Sequence, residues 1–237
     1  MFLSSFHHED ANGIHITPEQ ASRFAKEVAG DFNPIHTPGN KRFCVPGDLL
    51  FSLVLNKYGI SQQMCFTFAG MVGEGVALQF PDEEADKLAI TDDNDKTYLQ
   101  VERKGDVSSS SEQVEAFSRE YVSFSGKNFP DILVPLITEQ NVMLNPARPL
   151  VIYESMSVRL DHVDFSVPKL ELTDSSIEVK GKRGDVRLDF QISDGDRPVG
   201  AGFKKLVIGG LIPYDEEVVT AVVAEYEADK KNYQPSV

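Results

Sequence analysis

One stretch limits the folds open to this chain more than any other: Gly47-Asp48-Leu49-Leu50-Phe51-Ser52-Leu53-Val54-Leu55. Wound as a helix, it carries apolar side chains on almost every side, and a helix of that kind belongs in the interior. The rest of the chain must supply what encloses it. Tyr58-Gly59 ends the helix. Gly47 and Asp48 open it, where free N–H groups and the helix dipole favour negative charge, and Asp48 reads as a cap.

Alternating segments follow. Residues 64–70 and 75–80 read as strands with a glycine-rich kink at Gly70, Gly73 and Gly75. The acidic stretch 81–95 reads as a loop around a short strand. Residues 97–104 and 115–124 alternate again and read as further strands, separated by a polar turn near Ser108 to Ser111. Residues 127–137 then parallel 45–51: each has Pro shortly before Asp and then an apolar helix, the second with Pro135 placed to kink it. Strands are expected over 150–160, 176–182, 186–193 and 199–208, with turns at Asp174-Ser175, at 182–184 and at Asp194-Gly195-Asp196. The fold class is α+β, an internal repeat with units at 1–125 and 126–212. A tail over 213–237 carries Val218, Val219, Val222, Val223 and Tyr226 at the spacing of an amphipathic helix.

Ahead of the buried helix lies a compact set of reactive groups. Thr17-Pro18-Glu19-Gln20 has the form of a capped helix start, and Ala21, Phe24, Ala25 and Val28 make one apolar stripe up to Gly30. The helix delivers the chain into Asp31-Phe32-Asn33-Pro34-Ile35-His36, where Pro34 forces a stop. A turn there can aim Asp31 and His36 into one small volume, and a carboxylate and an imidazole sharing a water make a simple general base. An Asx-turn in which Asp31 and Asn33 bond only nearby backbone accounts for the same residues.

The run Gly30-Asp31-Phe32-Asn33-Pro34-Ile35-His36 resembles the signature of the MaoC-like, (R)-specific enoyl-CoA hydratases. The resemblance implies a hot-dog fold, here a double hot-dog with the 47–55 helix wrapped by sheet. It also implies water addition to an enoyl thioester, or the reverse dehydration. Asp31 and His36 would be the catalytic pair and the Gly47 N–H the donor to the thioester carbonyl. Phe32, Asn33 and Phe51 would contact substrate. No metal or cofactor is implied, and the partner is a thioester of coenzyme A or acyl carrier protein; a homodimer is compatible with the chain, as is a monomer in which the double hot-dog stands in for the dimer of single units. Ala29 stands where the family usually has a small polar residue, and Lys41-Arg42 where it has Ala or Ser. The loop to Gly47 is short and ends in Pro46-Gly47 rather than His-Gly. A hot-dog thioesterase, or an inactive acyl-thioester-binding or regulatory protein, stays open beside the hydratase. The second unit has no copy of the motif, and His162 reads as structural.

Charge and composition narrow the partners. The formal net charge of −14 speaks against nucleic acid and against an anionic membrane surface. Lys41-Arg42, Arg103-Lys104, Lys180 with Lys182-Arg183, and Lys204-Lys205 read as solvated surface, with a phosphate site as the sharper alternative. No apolar run approaches the roughly 20 residues of a membrane span, and residues 1–10 have no secretory pattern, so a cytoplasmic location is expected. His7, His8 and His15 match no metal spacing, and Cys44 and Cys65 suggest neither a metal site nor a disulfide framework.

Overall fold

The computed structural model describes residues 2–82 and 85–235. Glu83 and Glu84, in the expected acidic loop, lie outside the described residues, as do Met1, Ser236 and Val237. A short hairpin, β1 (His8–Asp10) and β2 (Gly13–His15), precedes helix α1 (Pro18–Arg23). Its histidines stack: the His8 and His15 rings lie 4.9 Å apart, and His15 Nε2 sits 3.1 Å from Asp10 Oδ1. Thr17 caps α1 with the expected box, its hydroxyl accepting from Gln20 N–H while the Gln20 side chain accepts from Thr17 N–H. The helix continues as a π-helical turn over Phe24–Ala29 and ends at Gly30 in the left-handed region.

The enclosed helix is α2 (Gly47–Tyr58), and Leu49, Leu50, Phe51, Leu53, Val54 and Leu55 are all buried. Around it run β3 (Ile60–Phe68), the two-residue β4 (Ala77–Leu78), β5 (Lys87–Thr91) and β6 (Thr97–Ser108). Helices α3 (Ser111–Gly126) and α4 (Leu133–Glu139) follow, then β7 (Val142–Met143). The second half adds β8 (Leu150–Leu160), β9 (Pro168–Lys180), β10 (Arg183–Asp194), β11 (Arg197–Gly209), the short β12 (Ile212–Pro213) and helix α5 (Glu216–Asn232). Seven strands form one antiparallel sheet in the order β5-β6-β3-β8-β11-β10-β9. The seam is β3 against β8, with Gln63 opposite Arg159 and Thr67 opposite Ser155. Two helix-and-strand units thus share a continuous sheet, a double hot-dog with a C-terminal helix. Among the described residues no helix is long and apolar enough to cross a membrane.

Three expectations are corrected. Residues 115–124 are not a strand but the body of α3. Val114, Phe117, Tyr121 and Val122 are buried at helical spacing, and the Ser110 hydroxyl caps the start by accepting from Gln113 N–H. The second long helix is therefore α3 rather than 127–137, and Pro135 falls in the first turn of the short α4, where a missing N–H costs nothing. Asp174-Ser175 is not a turn: both residues pair with β10. The register moves from Asp189–Asp174 to Phe190–Leu172, so Thr173 is the extra residue of a bulge.

Candidate active site

The π-helical turn sets the chain's direction into the motif. Gly30 N–H donates to the Ala25 carbonyl and Asp31 N–H donates to the same oxygen at 2.8 Å. Asn33 then caps a single 3-10 turn over Pro34–His36 by accepting from Ile35 N–H at 3.2 Å. Asp31 does two things with its two oxygens. Oδ1 accepts from Asn33 N–H at 2.9 Å, the Asx-turn, while Oδ2 lies 3.6 Å from His36 Nε2. Asp31 thus makes the Asx-turn with one oxygen and faces His36 with the other.

The tautomer of His36 follows from its other nitrogen. Nδ1 lies 2.6 Å from the Cys44 carbonyl oxygen, which can only accept, so Nδ1 carries the hydrogen. In the neutral ring Nε2 is then a bare acceptor facing a carboxylate oxygen. With the ring protonated the two atoms are within ion-pair reach, and with the ring neutral a water on the cavity side can donate one O–H to each.

Both groups line a cavity of about 560 Å³, with Phe32, Asn33, Gly47 and Tyr153 among its other walls. Gly47 is the first residue of α2, whose opening N–H groups have no intrahelical acceptor. The stacked rings of Phe68 and Tyr153, 4.3 Å between centroids, press against it. A Cβ at Gly47 would come within 2.9 Å of each ring, so only glycine lets the helix start sit so close to them. Phe51 is not on the cavity wall. It is 0% exposed and packs among the rings of Phe66, Phe117 and Tyr121, because it lies on the core side of α2. Gly126 brings the end of α3 against the turn, since a Cβ there would meet the Ala29 carbonyl oxygen at 2.0 Å.

Asp48 is not a cap. Its carboxylate is buried and accepts from Ser125 Oγ–H at 2.6 Å, and Ser125 Oγ in turn accepts from Lys204 Nζ. Burial raises the Asp48 carboxyl and lowers the Lys204 ammonium, and their mutual attraction opposes both shifts. Lys204 is thus no part of a solvated patch; it also lies 4.3 Å over the Tyr153 ring. Arg103 is likewise buried, donating to Ser61 Oγ at 3.0 Å, and Arg42 donates to the Pro149 carbonyl at 2.7 Å. The hydroxyls of Tyr121 and Tyr153 bond to each other, and burial raises both well above the ordinary tyrosine range. A lysine on the strand face shared by Leu206 and Ile208 is the sequence signal that could have found this group.

The wall is completed from α5. Tyr226 Oη accepts from Phe32 N–H at 3.2 Å, and its ring meets Phe32 edge-on. Val222, Glu225 and Asp229 line the same side. Cys44 also borders the cavity, and burial pushes its thiol up to about 11. At pH 8 the thiolate is then only ~0.1% of the population, so alkylation by iodoacetamide is expected to be slow and to rise steeply towards pH 11. Mass spectrometry of the labelled Cys44 peptide checks this; rapid labelling at pH 7 would contradict it.

The family model described as "Protein of unknown function (DUF3581)" matches residues 1–217. No curated protein matches the chain. Among solved structures, the chain is similar to a MaoC-like dehydratase at 8% identity and a TM-score of 0.42, covering 85% of this chain and 97% of that one. It is similar to a conserved hot-dog protein of unknown function from Alicyclobacillus acidocaldarius at 7% identity and a TM-score of 0.44, covering 90% and 99%. A third is a tesB protein of Mycobacterium avium subs paratuberculosis, at 10% identity and a TM-score of 0.40, covering 71% and 89%.

Proposed function

Since the chain belongs to the DUF3581 family, whose description assigns no activity, we propose from the site itself that it is a hydratase or dehydratase of acyl thioesters. The observation that carries this is the placing of Asp31 Oδ2 at 3.6 Å from His36 Nε2 on the wall of the cavity that also holds Gly47. One water on the cavity side of the two acceptors gives an O–H to each. In hydration its oxygen bonds to the β-carbon of a 2-enoyl thioester. The proton facing Asp31 passes to that carboxylate and from there to the α-carbon, while the O–H facing His36 stays on the product. One proton leaves the water and one arrives on carbon, so the addition balances. With Nδ1–H committed to Cys44, neutral His36 has no proton at Nε2 to give, and its part is to hold the water. The Gly47 N–H accounts for the electrophilic half: donated to the thioester oxygen, it stabilises the enolate-like charge, a placement worth about 3 kcal/mol in comparable sites. Coenzyme A and acyl carrier protein are the two carriers of such a thioester, and crotonyl-CoA serves as the plain probe.

The test follows the loss of conjugated thioester absorbance with crotonyl-CoA and with a longer 2-enoyl-CoA. Hydration of either supports the reading. Release of free thiol in place of hydration would make the protein a thioesterase, and inertness towards both would leave a thioester-binding protein without turnover.

A further inference from the structure

The cavity has a second polar wall that water addition does not use. Asp48, Ser125, Asn128 and Lys204 all line it, and they are only 8%, 4%, 4% and 4% exposed. Lys204 donates to Ser125 Oγ, and Ser125 donates to Asp48 Oδ2. That relay leaves capacity unused: Asp48 Oδ1 and both Asn128 Nδ2 and Oδ1 have no hydrogen-bond partner among the described residues. A buried amide unpaired at both ends opposes folding, and a leucine of similar size would not. Asn128 is held by its backbone instead, its carbonyl accepting from Ile132 and Leu133 N–H, both at 3.0 Å.

The free atoms describe a ligand group. Asn128 offers a donor beside an acceptor, and Asp48 Oδ1 adds a second acceptor. The charges of Asp48 and Lys204 cancel, so an incoming ion would meet a like charge as well as an opposite one. The matching group is neutral and both donates and accepts. Leu133, Leu144 and Leu206 line the same cavity and suit methylene carbons on the way to it. We propose that the acyl group received here carries a hydroxyl or a primary amide, seated against Asn128 and Asp48. This rests on the thioester reading above and narrows it to polar acyl chains.

Saturated thioesters separate binding from chemistry. Calorimetric titration compares hexanoyl-CoA, 6-hydroxyhexanoyl-CoA and 4-carbamoylbutanoyl-CoA on the wild-type protein and on Asn128→Leu. At least one polar thioester is expected to bind tenfold or more tighter than hexanoyl-CoA, since a site built for a polar group rejects the analogue lacking it. Asn128→Leu is expected to erase that preference and keep hexanoyl-CoA binding. Equal affinities in the wild type would overturn the proposal and leave the polar wall to water, as would a preference that survives Asn128→Leu. Hexanoyl-CoA binding without preference overturns this proposal alone, whereas no binding by any of the three overturns it together with the thioester reading. The wild-type comparison decides the matter even if the variant does not fold.

Discussion

If the proposed hydration holds, replacing Asp31 by Asn is expected to lower it by about 10²–10⁴-fold, the span of one general base, and to leave the fold in place. The asparagine oxygen can still accept from Asn33 N–H, so the Asx-turn that the native Oδ1 makes survives. The changed atom is the one 3.6 Å from His36 Nε2. There an NH2 cannot take a proton from water, and it also donates to the imidazole lone pair that would otherwise hold the water. The variant therefore loses both ends of the device through a single atom. Initial rates with crotonyl-CoA, beside a thermal melt, measure this. An unchanged rate in a folded variant removes the carboxylate from the mechanism.

The largest stability effect is expected at Phe51. Its ring lies 4.5 Å from Tyr121 and 5.0 Å from Phe66, with nothing exposed. Phe51→Ala should cost about 3–5 kcal/mol, the transfer free energy of the ring plus that of the void left between α2, α3 and the sheet. Guanidinium unfolding followed by circular dichroism reads it. A loss under about 1 kcal/mol would mean that the surrounding rings collapse into the space, and that the α2–α3 contact is softer than its packing implies.

What was legible in the sequence is what local chemistry decides. The Thr17–Gln20 capping box, the stop at Pro34, the buried α2 and the β10–β11 hairpin at Gly195-Asp196 each follow from a few neighbouring residues. The alternation over 115–124 points to a strand, while the burial of Phe117, Tyr121 and Val122 by α2 and the sheet selects the helix. The closeness of Asp31 and His36 could be anticipated, since they lie five positions apart. The Asp48–Ser125–Lys204 relay could not. Its members come from α2, α3 and β11, 77 and 79 positions apart, and meet only when the sheet closes over both helices. The same closure explains why Lys204 looks like surface in the sequence and is core in the fold.

The hydroxyl that satisfies Phe32 N–H belongs to Tyr226, 194 positions further along. Tyr226 is the one buried side chain of α5, and Tyr233 just beyond it bonds Glu27 at 2.9 Å. In synthesis order the turn bearing Asp31 precedes every strand of the seven-stranded sheet, and until α5 is made only water can stand in for the Tyr226 hydroxyl. The turn that carries Asp31 is closed only when α5 reaches it.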